Sequence, residues 1–251
     1  MSKPYSPRVA RRPSSPRFLL AFVCLLLPSL RATPATEVAT PAHASPPADV
    51  ALAVVYDTSG SMRTSIRAAD GSLTPKHVAA RRAFALVIDQ LERYAKGTEF
   101  TAPKRLDLSI VAFSGTRVVE AVPMAPLNGA AARKWLDALP LPNSGTPLGD
   151  AMALAGRSLL ATPAASKHLL VLTDGENTSG ITPIAALTTL HKQTGAQDQV
   201  VFVHVLALDI SPTVFASLQQ AGATLIGAND EKQLQSQLDF ILETQILVEA
   251  P

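Results

Sequence analysis

Three nearly uninterrupted aliphatic runs constrain the fold of this 251-residue chain more than any other feature. They lie at residues 50–56, 169–172 and 200–208. A strand with one exposed face alternates apolar and polar residues, whereas a continuous aliphatic run is typical of a parallel strand buried on both faces. Strands and helical patterns alternate from residue 49 onward. The sequence therefore predicts an α/β fold with a mostly parallel sheet and helices on both of its faces.

One pair of neighbouring runs predicts an antiparallel hairpin. Residues 106–113 carry Asp107 and Ser109 at alternate early positions, which indicates a partly exposed strand. The run at 118–122 follows after only four residues, Ser114 to Arg117, which is too short for a parallel crossover. With a short strand at 224–226, the prediction is a doubly wound, six-stranded sheet with one antiparallel edge strand.

Four predicted helices begin with a hydroxyl residue followed by proline. The dipeptides are Thr74-Pro75, Thr146-Pro147, Thr182-Pro183 and Ser211-Pro212. We expect each hydroxyl to cap its helix while the proline takes the first helical position. The first helix should end at Lys96, because Gly97 provides a stop. The last helix should bury the periodic residues Leu234, Leu238, Ile241 and Leu242.

The hexapeptide from Asp57 to Met62 follows the first buried run and places oxygen-bearing side chains at alternate positions, Asp57, Ser59 and Ser61. In an extended or gently turning segment these three side chains point to one side, and Gly60 lets the backbone bend tightly between the serines. Hard cations such as Mg²⁺ prefer oxygen ligands. Asp and Ser behind a strand also serve as turn formers and helix caps, so the hexapeptide alone leaves both interpretations open.

Two later stretches complete a recognisable pattern. Thr146 lies at a loop-to-helix junction, and Asp174, followed by Gly175, ends the second buried run. Asp-x-Ser-x-Ser, a distant Thr and a strand-terminal Asp form the pattern of the metal-ion-dependent adhesion site (MIDAS). The chain thus resembles the von Willebrand factor type A (VWA) family, with its Rossmann-like fold, from about Asp49 to the C-terminus. All five motif positions are filled.

The resemblance implies a role for each motif residue. Ser59, Ser61 and Thr146 would contact the cation through their hydroxyls, directly or through water. Asp57 and Asp174 would act mainly through water or by orienting those hydroxyls. Mg²⁺ is the expected ion, with Mn²⁺ or Ca²⁺ as alternatives, and a partner protein would supply a Glu or Asp carboxylate to it. Close backbone approach would be supported by Gly60, Gly145 and Gly175.

The N-terminal residues have the composition of a leader. Residues 1–35 combine basic residues with a short apolar run at 18–27 that Pro28 ends, which is typical of a secretory signal peptide. Residues 36–48 read as an Ala/Pro/Thr-rich linker, and 49–251 as the VWA domain. We expect an extracytoplasmic bacterial protein, periplasmic or secreted, tethered to the membrane by residues 18–30 only if the leader is not cleaved. The single cysteine, Cys24, lies in the leader, so no disulfide is expected in the domain.

The positive net charge comes from the leader. Six of the 22 Lys and Arg residues lie within residues 1–35, which contain no Asp or Glu. The remainder has 16 basic and 20 acidic residues, which gives no support for nucleic-acid binding.

Other functions have weaker support. Ser59 stands where an Asp-x-Asp phosphatase has its second acid, and neither a Gly-x-Ser-x-Gly elbow nor a glycine-rich phosphate loop is present. A non-enzymatic protein is therefore expected, with a metal-dependent hydrolase as one alternative. A periplasmic scaffold or assembly protein with a purely structural metal stays open.

Several other residues are assigned to packing or to loops. Glu176 and Asn177 are expected in a solvated loop, and residues 63–73 either in a simple loop or in a recognition rim. Trp135 and Leu136 should pack a helix. Four histidines show no zinc-type spacing and are expected in the core or on the surface: His77, His168, His191 and His204.

Overall fold

The computed structural model describes residues 49–97, 99, 102–114, 117–143 and 145–248. The predicted leader and linker lie outside the described residues. The described strands are β1 (Val50–Tyr56), β2 (Ser65–Arg67), β3 (Leu73–Pro75), β4 (Leu106–Ser114), β5 (Arg117–Pro126), β6 (Ser166–Thr173), β7 (Phe202–Leu208) and β8 (Thr224–Ala228). The α-helices are α1 (Lys76–Lys96), α2 (Gly129–Asp137), α3 (Leu148–Ala161), α4 (Pro183–Ala196), α5 (Ala216–Gln220) and α6 (Glu231–Ile241). None of the described helices is long and apolar enough to span a bilayer.

Six strands form the main sheet in the order β5-β4-β1-β6-β7-β8. Every neighbouring pair is parallel except β4 and β5, which form the antiparallel hairpin at the sheet edge. The predicted fold class is confirmed. Because β1 lies between β4 and β6, its Val50 pairs with Leu106 on one side and with Ser166 on the other.

Strand β1 is buried on both faces, which explains its continuous apolar sequence. Leu52, Val54 and Tyr56 pack in a core with α1, α2 and α6. The alternate residues Ala51, Ala53 and Val55 pack in a second core with α3, α4 and α5. Helices therefore cover both faces of the sheet, as predicted from the aliphatic runs.

The hydroxyl–proline dipeptides have more than one role. Thr182 caps α4 as predicted, since its Oγ1 accepts from the Ala185 N–H at 3.3 Å. Ser211 and Pro212 begin a short 3₁₀ helix, Pro212–Phe215, without a side-chain cap. The prediction of a side-chain cap is therefore wrong for Thr74, Thr146 and Ser211.

Helices α1 and α3 each start one residue after the proline. Pro75 and Pro147 are at the N-cap positions, and neither helix has a side-chain cap. A proline that adopts an extended backbone, as Pro75 does with ψ of 140°, cannot be the first helical residue. The predicted end of α1 is confirmed, with Gly97 at φ of 71° directly after Lys96.

Residues 63–73, which were expected to form a simple loop or a recognition rim, contain regular secondary structure. Strands β2 and β3 form a two-stranded antiparallel hairpin in which Ile66 pairs with Thr74. Ile66 is only 3% exposed, so the hairpin is anchored by an apolar contact. At the turn, Gly71 has φ of 88°, and Ser72 donates its N–H and hydroxyl to Asp70 Oδ1 at 2.9 and 2.6 Å.

A pair of buried histidines links β6 and β7. The His168 and His204 rings stack with centroids 5.4 Å apart, and His168 Nδ1 is 3.1 Å from His204 Nε2. Burial lowers the pKa of His168 to about 3, with the neighbouring His204 adding to the effect. Burial lowers the pKa of His204 to about 4. Both rings are therefore neutral in the folded protein at neutral pH.

The histidine pair predicts a loss of stability in mild acid. Below pH about 6.5 the unfolded chain binds protons that the folded chain binds only near pH 4 at His204 and near pH 3 at His168. The contribution of the pair to stability is therefore fully present above pH about 6.5 and falls with decreasing pH. The slope is at most about 1.4 kcal/mol per pH unit for each histidine. Urea unfolding of the full chain at pH 7.5 and 5.0 measures it.

His168→Gln should flatten this pH dependence, whereas the exposed-residue control His191→Gln should retain it. An equal pH dependence in His168→Gln and in the parent chain would contradict the assignment.

Candidate metal-binding site

The sheet topology brings the two motif aspartates to one edge. Asp57 follows β1 and Asp174 follows the neighbouring parallel strand β6, so both side chains emerge at carboxyl ends of strands. The Asp57 N–H donates to the Leu172 carbonyl at 3.0 Å, which extends the pairing by one residue. Asp57 is fully buried and Asp174 is 5% exposed. Ligands of open α/β sheets bind beyond this edge.

The serines converge through a turn rather than through an extended segment. Gly60 begins a 3₁₀ helix, Gly60–Arg63, so the backbone bends between the two serines, as the glycine suggested, and does not continue as an extended segment. The tight turn nevertheless places Ser59 Oγ 2.9 Å from Ser61 Oγ. The Ser61 hydroxyl then donates to Asp174 Oδ1 at 2.7 Å. Three of the five motif side chains thus form one connected chain of oxygen atoms.

Thr146 lies beside the same glycine, Gly175, as Ser61 does. A Cβ atom at Gly175 would lie 3.5 Å from Ser61 Oγ and 3.7 Å from Thr146 Oγ1. The absence of a side chain at Gly175 therefore leaves open a small cradle between two hydroxyls. Thr146 is 4% exposed and is held at this edge by its neighbours.

The loop after β6 positions Thr146 through reciprocal hydrogen bonds. The Thr146 N–H donates to Thr178 Oγ1 at 2.7 Å, and the Thr178 N–H donates to the Thr146 carbonyl at 2.9 Å. A Cβ at Gly145 would come within 2.7 Å of Thr178 Oγ1, so glycine permits this approach. Asn177, predicted as a solvated loop residue, accepts the Gly149 N–H at the start of α3 at 3.0 Å.

Asp57 is oriented by its own hydrogen bonds. Its Oδ1 accepts the Ser59 N–H at 2.7 Å, and its Oδ2 accepts the Thr173 hydroxyl at 2.6 Å. Burial raises the pKa of Asp57 above its ordinary value, and the hydrogen bonds from Ser59 and Thr173 oppose that rise. Sequence reasoning missed Thr173, because a threonine at the end of a strand is an ordinary residue there.

Lys76 is a second residue that the sequence did not reveal. Its Nζ lies 3.1 Å from Asp174 Oδ2 and 3.0 Å from Asp209 Oδ2, and its side chain is 7% exposed. Asp209 directly follows β7, so a third strand-terminal aspartate lies at the same edge. That signal was present in the sequence after the third aliphatic run. A lysine in the first turn of a helix, where the dipole favours acidic residues, was a second signal.

The donor set fits a hard cation. Three hydroxyls and two carboxylates supply only oxygen atoms, the ligand type that Mg²⁺, Mn²⁺ and Ca²⁺ prefer. Across the described ranges, no group of three or more His, Cys, Asp or Glu side chains is placed to hold a metal ion. A site at this edge therefore depends on Ser and Thr hydroxyls.

The chain belongs to the von Willebrand factor type A domain family, whose sequence profile matches residues 51–236. The match covers both predicted serines and both strand-terminal aspartates of the motif. A comparison with curated proteins finds no match.

Solved structures of low sequence identity share the fold. The PilB minor pilin from Streptococcus sanguinis is 16% identical with a TM-score of 0.59, and the match covers 80% of this chain and 62% of the pilin. The vWF domain of the type V pili tip protein Mfa5 from Porphyromonas gingivalis is 12% identical with a TM-score of 0.59, over 80% of this chain and 96% of that domain.

A third structure is a mussel protein. Proximal thread matrix protein 1 from the mussel byssus, solved with a zinc-occupied MIDAS motif, is 15% identical with a TM-score of 0.55, over 78% of this chain and 48% of that one. The chain thus spans less than two thirds of the pilin and of the byssus protein. At these identities the comparisons show a shared fold.

Removing Lys76 should destabilise the metal-free protein. Lys76→Met leaves the Asp174 carboxylate buried without its cation, which costs about 3 kcal/mol in free energy of unfolding. Added Mg²⁺ should recover part of the loss, because it supplies positive charge at the same edge. Urea unfolding in EDTA and in Mg²⁺ measures both effects.

Arg82→Met is the matched control. Arg82 pairs with Glu231 from a side chain that is 58% exposed, so its loss should cost less than about 1 kcal/mol. Equal stabilities of the two variants in EDTA would show that the Lys76 pair does not support this edge.

Proposed function

We propose that this VWA domain binds Mg²⁺ at a complete MIDAS and, through it, an acidic side chain of a partner protein. Ser59, Ser61 and Thr146 would hold the ion through hydroxyls, while Asp57 and Asp174 would act through water or by orienting those hydroxyls. The observation that carries the proposal is the connected set Ser59–Ser61–Asp174, with hydrogen-bond distances of 2.9 and 2.7 Å. Bound there, the cation supplies a coordination position for a Glu or Asp carboxylate.

The charge around the site supports recognition of an acid. Hydroxyls are neutral, so they leave most of the positive charge of a cation uncompensated. Lys76 already balances part of the Asp174 charge, at 3.1 Å from its Oδ2. Asp57 is likewise engaged with Thr173 and with the Ser59 N–H. The Asp174 charge is therefore partly balanced by Lys76, and the Asp57 charge is stabilised by hydrogen bonds, so an acidic ligand meets less repulsion at this edge.

The alternative is a scaffold protein whose metal only stabilises the fold. The same contacts weigh against it, because the carboxylates of Asp57 and Asp174 have protein partners before any ion binds. The fold should consequently persist without metal. We infer a non-enzymatic, extracytoplasmic role in protein recognition, in keeping with the pilus proteins that share the fold.

Calorimetric titration of the full chain with Mg²⁺ tests the metal site. We expect saturable binding, weakened at least about tenfold in Ser59→Ala and in Ser61→Ala because each loses a hydroxyl ligand. Thr188→Ala, an exposed change on α4, should bind as the parent does. Circular dichroism should show native folding in all of them. Unchanged Mg²⁺ affinity in both serine variants would exclude these hydroxyls as ligands.

The recognition step has its own test. Acetyl-glutamate amide should bind the full chain in Mg²⁺, as followed by amide chemical shifts, and should not bind in EDTA or as the glutamine analogue. The unfolding temperature in EDTA should stay high enough for the chain to be fully folded at 25 °C. Unfolding at that temperature in EDTA would support the structural-metal alternative instead.

A further inference from the structure

A pocket of about 110 Å³ adjoins the candidate metal site. Asp57 and Thr58 contribute to its lining, so it is continuous with the edge that carries the motif. The remaining walls are Tyr56 from β1, His77 and Arg81 from α1, and the Leu-Pro-Leu-Pro segment at 139–142. Leu141 is 72% exposed, which leaves an apolar rim beside the opening.

The Tyr56 hydroxyl is a buried polar group without a partner. Tyr56 is 1% exposed, and among the described residues its hydroxyl has no hydrogen bond. The ring is held edge-on by Phe84 and Trp135, at centroid distances of 5.5 and 5.4 Å. An unsatisfied buried hydroxyl costs about 1–3 kcal/mol, so its position at a pocket points to a ligand atom there.

Arg81 supplies positive charge to the same pocket. Arg81 and Tyr56 both line the pocket. Burial raises the pKa of Tyr56 above its ordinary value, and the positive charge of Arg81 opposes that rise. In the part of the chain that the structure describes, Arg81 has no hydrogen bond or ion pair. The neighbouring Arg82, in contrast, donates to Glu231 at 3.2 Å.

We propose that this pocket binds a second carboxylate of the same partner, held by the Tyr56 hydroxyl and the Arg81 guanidinium. This inference rests on the proposed function, because the first carboxylate is the one at the cation. The partner's recognised segment then carries two acidic side chains a few residues apart. A segment with a single acidic side chain would occupy the metal site and leave the pocket without a carboxylate.

The chemistry of the walls selects a carboxylate. Tyr56 and Arg81, two lining residues whose polar ends have no partner among the described residues, can both donate hydrogen bonds, and a carboxylate accepts from two donors at once. A basic side chain would meet the Arg81 charge, and the one carboxylate among the described lining residues, Asp57, already accepts from the Ser59 N–H and the Thr173 hydroxyl. Leu139 and Pro140 offer apolar surface to the methylene groups of a Glu or Asp stem.

Short capped peptides test the second subsite on the Mg²⁺-loaded full chain. The probes are Glu-Glu and Glu-Ala-Glu, compared with versions in which either Glu is replaced by Gln. We expect at least one two-acid peptide to bind about tenfold more tightly than its single-acid versions, because hydrogen bonds to a charged group are strong. Calorimetry or amide chemical shifts measure the affinities.

Single substitutions test which side chains cause the preference for two-acid peptides. In Arg81→Gln and in Tyr56→Phe the two-acid and single-acid peptides should bind equally, and the single-acid affinity should match that of the parent. Arg82→Gln, one residue further along α1, should keep the tenfold preference. Tyr56→Phe retains the ring that packs on Phe84 and Trp135, so it is expected to fold.

Each contrary result has a separate meaning. Equal binding of all acidic peptides by the parent chain, still dependent on Mg²⁺, would overturn the second subsite and leave the metal-bridged function intact. A two-acid preference that survives in Arg81→Gln and Tyr56→Phe would overturn it as well. No Mg²⁺-dependent binding of any acidic peptide would overturn the proposed function, and this inference with it.

Discussion

Two buried carboxylates at neighbouring strand ends are the constraint on which this structure depends. Asp57 and Asp174 follow parallel strands that pair residue by residue, so the topology forces them to the same edge. Burying a carboxylate is costly unless hydrogen bonds or opposite charge compensate. Thr173 and the Ser59 N–H compensate Asp57, while Ser61 and Lys76 compensate Asp174.

The local structure around the edge follows from that compensation. The 3₁₀ turn after Ser59 brings Ser61 to Asp174, and α1 starts at Lys76 so that its first residue reaches two aspartates. Five residues further along the same helix, Arg81 lines the adjoining pocket. Helix α1 thus contributes cationic side chains to both halves of one surface. That surface combines an edge with oxygen ligands and a pocket with hydrogen-bond donors, as an acidic partner requires.

Much of the fold could be predicted from the sequence because parallel strands buried on both faces have an unmistakable composition. The hairpin of β4 and β5 followed from the short connection between them, and the end of α1 from Gly97. The starts of α1 and α3 could not be predicted, since whether Pro75 and Pro147 lie at the N-cap or in the first turn depends on their tertiary contacts. The β2–β3 hairpin was missed because its three-residue strands are too short to show a pattern.

The candidate site likewise contains some residues that could be predicted from the sequence and others that could not. Asp57, Ser59 and Ser61 are contiguous, so local spacing indicated them, and Asp174 followed from its strand end. Lys76 and the reciprocal bonds between Thr146 and Thr178 could not be predicted, because they join segments that only the folded chain brings together. Asp209 carried the same strand-terminal signal as Asp174. Its role with Lys76 becomes evident only when β7 is placed beside β6.

The most direct test of this account is anomalous diffraction from crystals of the protein grown with Mn²⁺ and acetate. The account predicts one manganese peak within bonding distance of the Ser59 and Ser61 hydroxyls, with an acetate oxygen on its open side and Lys76 still paired with Asp209. A manganese peak elsewhere in the molecule, with the Ser61–Asp174 hydrogen bond intact, would contradict it.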